Sequence, residues 1–407
     1  MPALSAMTPA LTDRPAILTA CLALIAFLPM VASDLFLPAL PAIATTLGVP
    51  VAATQRLFDS YFAGLALSLL VCGPISDRFG RRRPLLAALA AYTASCLAMA
   101  AAPDLGTLAL GRCLQGLGAG FPAALWRSVA FDALPPERAT KSVSVVVPVM
   151  VISPALAPIA GEWIAAAAGW RAIFVALGLA GALAFGITWR VLAETHRHAP
   201  AASVKQALAP YLALARSRRF LSFCGAACAA YAAYFLYLFQ APLILLSLGC
   251  TPRQIGYAYL PVTLGFVLGS RLGARLAPRL DDRAIVTTGV AMFGAGAGLL
   301  ILWDLAGRPF GAPGLLLAAA SFVAANGILL TVGVARTMAR FPTLRGTTSG
   351  LLGFSQAATT AWLIARMSRL NAVLPLTHSL SVMIGACVLL GAVSVAAFRA
   401  ASTREAA

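Results

Sequence analysis

The sequence predicts an all-α integral membrane protein, with twelve transmembrane helices in two pseudo-symmetric six-helix bundles. Three observations carry that reading. The 407 residues are 60% hydrophobic and only 11% charged, against about 25% charged in an ordinary soluble domain. Apolar windows of about 20 residues, long enough to cross a hydrocarbon core ~30 Å thick, recur along the whole chain. The charge, a formal +17, falls in short clusters between those windows, the pattern that orients helices in a bilayer. The lipid bilayer is therefore the expected surroundings, and no nucleic-acid partner is expected. A membrane barrel would instead show alternating segments of about ten residues.

Twelve windows can be placed in order. The first runs from about Ala16 past Leu40, and Pro38 and Pro41 predict a kink at its far end because proline removes a backbone donor. The next five lie near 52–75, 85–102, 106–127, 140–165 and 170–192, and six more near 219–246, 255–277, 284–306, 314–338, 344–366 and 378–400. Shared among twelve, the chain leaves about 34 residues apiece, room for a helix of about 20 and a short loop. The first fifteen residues lack the basic region and cleavage site of a signal peptide, so the first span reads as retained.

The longest polar stretch, Ala193 to Arg219, divides the chain into a first bundle (1–192), a cytoplasmic linker (193–218) and a second bundle (219–407). The middle of the linker reads as an amphipathic helix on the anionic inner leaflet. With the N-terminus inside, inward segments carry Arg14, Arg78, Arg81, Arg82, Arg83, Arg127, Arg138, Lys141, Arg197, Arg271, Arg275, Arg279, Arg283, Arg336 and Arg404 among others. Outward segments carry Arg56, Arg171, Arg253, Arg308, Arg366 and Arg369. The asymmetry predicts both termini cytoplasmic, with Arg366 and Arg369 in local dissent. GPISDRFGRRRP and GARLAPRLDDRA occupy equivalent turns of the two halves, a duplication typical of secondary transporters, which bind between their halves near the midplane.

Other chemistries are poorly supported. The eight cysteines read as small buried hydrophobes, and with His196, His198 and His378 they form no metal set. QGLGAG lies inside an apolar span with no strand before it, so it reads as small-residue helix packing; no Walker motif or hydrolytic triad is visible. The chain is expected to be no enzyme and to need no cofactor.

The G-x-x-x-D-R-x-G-R-R pattern of Gly73–Arg82 resembles the loop signature of the major facilitator superfamily, and the resemblance covers nearly the whole chain. More narrowly, SDLFLPALPAIATTLGV, GRCLQGLGAG, SPALAPIAGEWI and FPTLRGTTSGLLGFSQ make it similar to the twelve-span drug:proton antiporters of the bicyclomycin- and chloramphenicol-resistance type. It departs from them in the fifth span, where Gly-Pro-x-x-Gly-Gly reads Ala157-Pro158-Ile159-Ala160-Gly161-Glu162, and in the tenth, which lacks a Pro-Asn pair. The resemblance implies a bacterial inner-membrane exporter of small drug-like molecules, driven by protons and alternating between inward- and outward-open states as a monomer. A metabolite or amino-acid exporter, a proton symporter and a transport-dead sensor remain open alternatives.

Ionisable groups inside a membrane are costly, so each is a functional candidate. Asp34, in the first span, suits exchange of a proton or a cationic substrate, or sits at the outer water boundary. Arg112 must find acceptors or water; the resemblance links it to proton relay, while bonding to carbonyls is the alternative, and Gln115 lies one turn on. Asp59 reads as a second cavity acid or a boundary residue, and Glu162 as a vestibule acid or a group facing water. Tyr231, Tyr234 and Phe235 follow helical spacing and suit a face for flat apolar drugs or for packing, with Gln240 and Asn326 as further polar cavity candidates. Pro154, Pro158 and Gly161 belong to the bent fifth span, which the resemblance implies seals against proton leak. Gly73, Asp77, Arg78, Gly80, Arg81, Arg82 and Asp132 form a candidate latch: Gly73 for packing against the other half, Gly80 for the turn, and Asp77 and Asp132 as partners for arginine.

Overall fold

The computed structural model describes residues 15–195, 204–340 and 345–403. Arg14, His196, Arg197, His198 and Arg404 lie outside the described residues, which contain helices and no strands. In order these are α1 (Pro15–Asp34), α2 (Leu40–Leu47), α3 (Arg56–Phe79), α4 (Arg82–Ala100), α5 (Leu105–Ala133), α6 (Pro136–Ala168) and α7 (Trp170–Val191). They continue with α8 (Val204–Arg216), α9 (Arg218–Ser247), α10 (Pro252–Leu276), α11 (Asp282–Leu305), α12 (Gly311–Ile328), α13 (Val334–Arg340), α14 (Arg345–Leu370) and α15 (Leu376–Thr403). The pairs α1/α2 and α12/α13 are each one interrupted run, so six long runs precede α8 and six follow it.

Local chemistry explains the interruptions and the ends. Between α1 and α2 the chain passes through a 3-10 turn, Leu37–Ala39, with Pro38 inside it and Pro41 in the first turn of α2, where a missing N–H costs nothing. A π turn, Leu329–Gly333, joins α12 to α13. Asp104 caps α5 by accepting from the Thr107 N–H at 2.8 Å, which holds its carboxyl below the usual range. The helices α5 and α6 outrun their apolar windows because a helix stops at a breaker, here Pro135 and Gly169, and not where hydropathy falls.

Among the described residues, eight runs are long and apolar enough to cross a membrane, and α6, bent by 42° along a stretch carrying Pro148, Pro154 and Pro158, makes a ninth if taken as one span. α5, α10 and α14 are long enough but too polar to qualify by composition. In α5 the polar groups point inward: Arg112 and Gln115 are both fully buried.

Glycines set the closest helix contacts, as lipid-embedded packing favours. A Cβ at Gly64 or Gly116 would strike the backbone of the facing helix in the α3–α5 pair, and one at Gly265 or Gly269 would strike α12 from α10. The halves meet where α3 runs along α14, α6 packs on α10, and α9 approaches the turns that precede α2 and α3.

Candidate functional site

Asp34 is the last residue of α1, beside the proline-made break, and is 2% exposed. Its Oδ1 accepts from the Ser33 hydroxyl at 2.8 Å and its Oδ2 from the Ser153 hydroxyl of α6 at 3.4 Å. The carboxylate thus ties α1 to α6, with no arginine in hydrogen-bonding contact among the described residues. Pro158 comes one turn past Pro154 and Gly161 about two turns past it, and a Cβ at Gly161 would collide with the carbonyl of Leu35, the next residue after Asp34. Gly161→Ala therefore has no room; it should cost about 1–3 kcal/mol through overpacking and move the Asp34 segment. Lower thermal stability and several-fold weaker transport are expected, and wild-type values for both would refute the contact.

Arg112 is held as a fixed cation inside the first half. Its Nη1 donates to the Ala32 carbonyl at 2.9 Å and to Gln115 Oε1, and its Nε donates to the Leu57 carbonyl at 3.3 Å. The guanidinium carbon lies 4.2 Å from the Phe36 ring centre and 4.4 Å from that of Tyr61, so two π faces supplement the carbonyls. Tyr61 is itself fixed, donating to the Pro29 carbonyl at 2.8 Å, and Gln115 Nε2 approaches Cys96 Sγ at 3.0 Å. Arg112 Nη2 has no hydrogen-bond partner among the described residues. Arg112 and Asp34 act on the same stretch of α1, two residues apart.

A cavity of about 60 Å³ lies between the halves, walled by Ser33, Tyr61 and Phe62 on one side and by Tyr231, Phe235 and Gln356 on the other. Tyr234 backs it, its ring 5.3 Å from that of Phe235. Three expected cavity or coupling residues lie elsewhere. Asn326 is fully buried and donates to the Ala230 carbonyl at 2.8 Å, because α12 packs this face on α9. Asp59 is half-buried near the start of α3, with Oδ1 unpartnered among the described residues. Glu162 is half-buried where α6 meets Gly256 of α10.

Gln240 is the largest departure. Its helix turns it away from the cavity wall and into a buried carboxamide cluster that joins the halves. Gln55 Nε2 donates to Gln240 Oε1 at 2.9 Å, Gln240 Nε2 donates to Asn371 Oδ1 at 2.9 Å and to the Leu376 carbonyl at 3.1 Å, and Asn371 Nδ2 donates back to Gln55 Oε1 at 3.2 Å. Below the cluster, Phe58 of α3 meets Phe239 of α9 at 4.4 Å, edge to face, and Phe62 meets Phe235 at 4.7 Å. This end of the molecule is closed.

The Arg-rich turn at the opposite end forms its bonds within the first half. Arg81 Nη1 donates to Asp77 at 2.9 Å and to the Ser76 hydroxyl, its Nε donates to Asp132 Oδ2 at 3.2 Å, and Arg82 Nη2 donates to the Trp189 carbonyl at 2.7 Å. Gly80 has φ +83°, and a Cβ there would strike the Glu194 carboxylate. Glu194 accepts from the backbone N–H of Arg81 at 2.7 Å and of Arg82 at 3.3 Å, an anionic cap on α4 that no motif announces. Arg78 stacks over Phe79 at 5.2 Å. Gly73 abuts not the second half but the linker: a Cβ on it would lie 2.7 Å from the Tyr211 hydroxyl of α8, whose burial pushes that phenol up to about 12. The second half carries a charge-reversed counterpart, Arg336 Nη1 donating to Asp282 Oδ1 at 2.6 Å.

Two helical halves enclosing a buried acid, a buried cation and a cavity on their common boundary define a secondary membrane transporter. A family model described as Major Facilitator Superfamily matches residues 22–365, and the chain belongs to that superfamily. It is similar to the Bicyclomycin resistance protein homolog of Haemophilus influenzae, at 24% identity over 91% of this chain and 92% of that one. It is also similar to the Multidrug resistance protein MdtL of Shewanella sp., at 28% identity over 83% and 85%. Among solved structures, the POT family transporter PepTSo superimposes with a TM-score of 0.75 over 96% of this chain and 99% of that chain at 13% identity, a likeness of fold. The protein is thus a multi-pass transporter of a bacterial inner membrane and not an enzyme.

Proposed function

We propose that this protein exports small drug-like molecules in exchange for protons, with Asp34 as the coupling acid. The observation that carries the reading is a buried carboxylate that bridges α1 to α6 and accepts from Ser33, a residue that itself lines the cavity between the two halves. The printed names of the relatives, bicyclomycin and multidrug resistance, supply the substrate class. Protonating Asp34 removes the charge that Ser153 bonds, so α1 and α6 are held differently in the two protonation states. Coupling requires that differential; a proton bound equally by both conformations would shift nothing. Arg112, pinned by carbonyls and rings, supplies a fixed positive charge nearby, and the Tyr231–Phe235 face receives apolar substrate.

In this reading all twelve runs span the membrane, six in each bundle, the chain works as a monomer, and both termini are cytoplasmic. The Asn371 end then faces outward, so the conformation described is closed to the outside. The test is a substrate panel in everted vesicles with and without a pH gradient. Gradient-dependent accumulation of at least one apolar or cationic drug supports export; accumulation of none, with metabolites moving instead, overturns the substrate class.

The Arg81 network fastens the ends of α3, α4 and α5, so that the first half moves as a unit during the exchange of states. The Asp77–Arg81 pair is exposed on its acid side, with 58% of the Asp77 side chain open, so Asp77→Asn should cost under about 1 kcal/mol of stability. Transport should nonetheless fall several-fold at unchanged substrate affinity. A large loss of affinity in a direct binding measurement would refute the latch.

A further inference from the structure

A second concavity, about 440 Å³, opens on the outer face of the first half between α3 and α4, and α5 forms its floor. Its wall on α3 is Val71, Ile75 and Phe79; on α4 the small side chains of Ala87 and Ala91 leave it open, and Phe121 of α5 lies beneath. Ser68 lies at its deep end, and its hydroxyl already donates to the Leu117 carbonyl at 2.7 Å, so the interior asks for no polar partner. From Ser68 to Phe79 the groove follows eleven helical steps, about 16 Å at ~1.5 Å per residue, against about 15 Å for half of a ~30 Å hydrocarbon core. It is one leaflet deep.

The mouth is cationic. Of the four arginines in this turn, Arg81 and Arg82 are bonded within the protein, while exposed Arg83 lines the groove and forms no hydrogen bond or ion pair among the described residues. Arg78, stacked over Phe79, stands at the same end. We infer that this groove is a binding site for one anionic phospholipid, an acyl chain lying between α3 and α4 and the phosphate on Arg83. The apolar length selects a lipid over a free phosphate, and the unpaired guanidinium selects an anionic headgroup over a zwitterionic one. The leaflet, cytoplasmic, rests on the topology proposed above; the binding itself does not.

The test is native mass spectrometry of the purified full-length protein with phosphatidylglycerol and phosphatidylcholine of identical acyl chains, and glycerol 3-phosphate as the free headgroup. Wild type should retain one phosphatidylglycerol, about fivefold in preference to phosphatidylcholine. Arg83→Ala should bring that preference to parity. Ala87→Phe and, separately, Ala91→Leu should fill the groove and release both lipids, with circular dichroism showing the helices intact; either folded variant suffices. Glycerol 3-phosphate should displace nothing. Undiminished preference in Arg83→Ala, retention of lipid by a folded filling variant, or displacement by glycerol 3-phosphate would each overturn the site. None of these readouts measures transport, so failure here leaves the export reading standing.

Discussion

Asp34→Asn should reduce the ratio of gradient-driven to passive flux in everted vesicles to about one, because a group that cannot change charge cannot favour one conformation on protonation. The protein should stay folded. Asparagine has nearly the same shape, and its carbonyl still accepts from a serine, so the stability change should be about 1 kcal/mol, the net worth of one such bond. The pH dependence gives the sign. Wild-type accumulation should rise as the vesicle lumen is acidified, since protons leaving the lumen drive drug entry, whereas Asp34→Asn should be flat. A variant that keeps its response to lumenal acid would exclude Asp34 as the coupling acid. The chosen residue is informative because its two acceptor atoms bond hydroxyls on different helices, Ser33 on α1 and Ser153 on α6.

Gln240→Ala should open the outward end. Gln240 is fully buried and accepts from Gln55 and Asn371 while donating to Asn371 and to the Leu376 carbonyl. Its loss leaves the Gln55 Nε2 donor without its acceptor, while Gln55 Oε1 keeps its bond from Asn371; Gln55 is 2% exposed in the closed arrangement and free to meet water once the halves part. The penalty, about 1–3 kcal/mol for an unsatisfied buried polar group, thus falls on the closed state alone. That shifts the equilibrium about tenfold for each 1.4 kcal/mol. Spin labels at exposed Ala52 and Val373 report it, with the partly exposed Cys113 and Cys250 replaced. A longer distance population should grow in Gln240→Ala. If Gln240 instead contacts substrate, as its place in the seventh span first suggests, affinity will fall and the distance distribution will not change.

The comparison of sequence with structure is clearest at three places. Pro38 and Pro41 foretell the break after α1, because the lost donors act locally. Tyr231 and Phe235 reach the cavity as their helical spacing suggests, yet Gln240 and Asn326 do not, because the same spacing fits any face of a helix and only packing selects one. In the Arg-rich turn, charge and glycine mark a tight polar corner, but not that Glu194 caps it from 113 residues away or that Gly73 meets the linker.

Composition, apolar periodicity and the placement of arginine determined that the chain is a multi-pass helical membrane protein and which turns are polar. These are properties of each segment against its solvent, and they need no partner. Which polar residues converge was decided by tertiary structure alone. Gln55, Gln240 and Asn371 belong to three separate stretches, the start of the second window, the seventh window and the turn after the eleventh, and Ser153 reaches Asp34 across 119 positions. Only Gln240 stands out in the sequence, and for a different role; Gln55, Asn371 and Ser153 are ordinary polar side chains until a second segment supplies the partner that makes their burial tolerable.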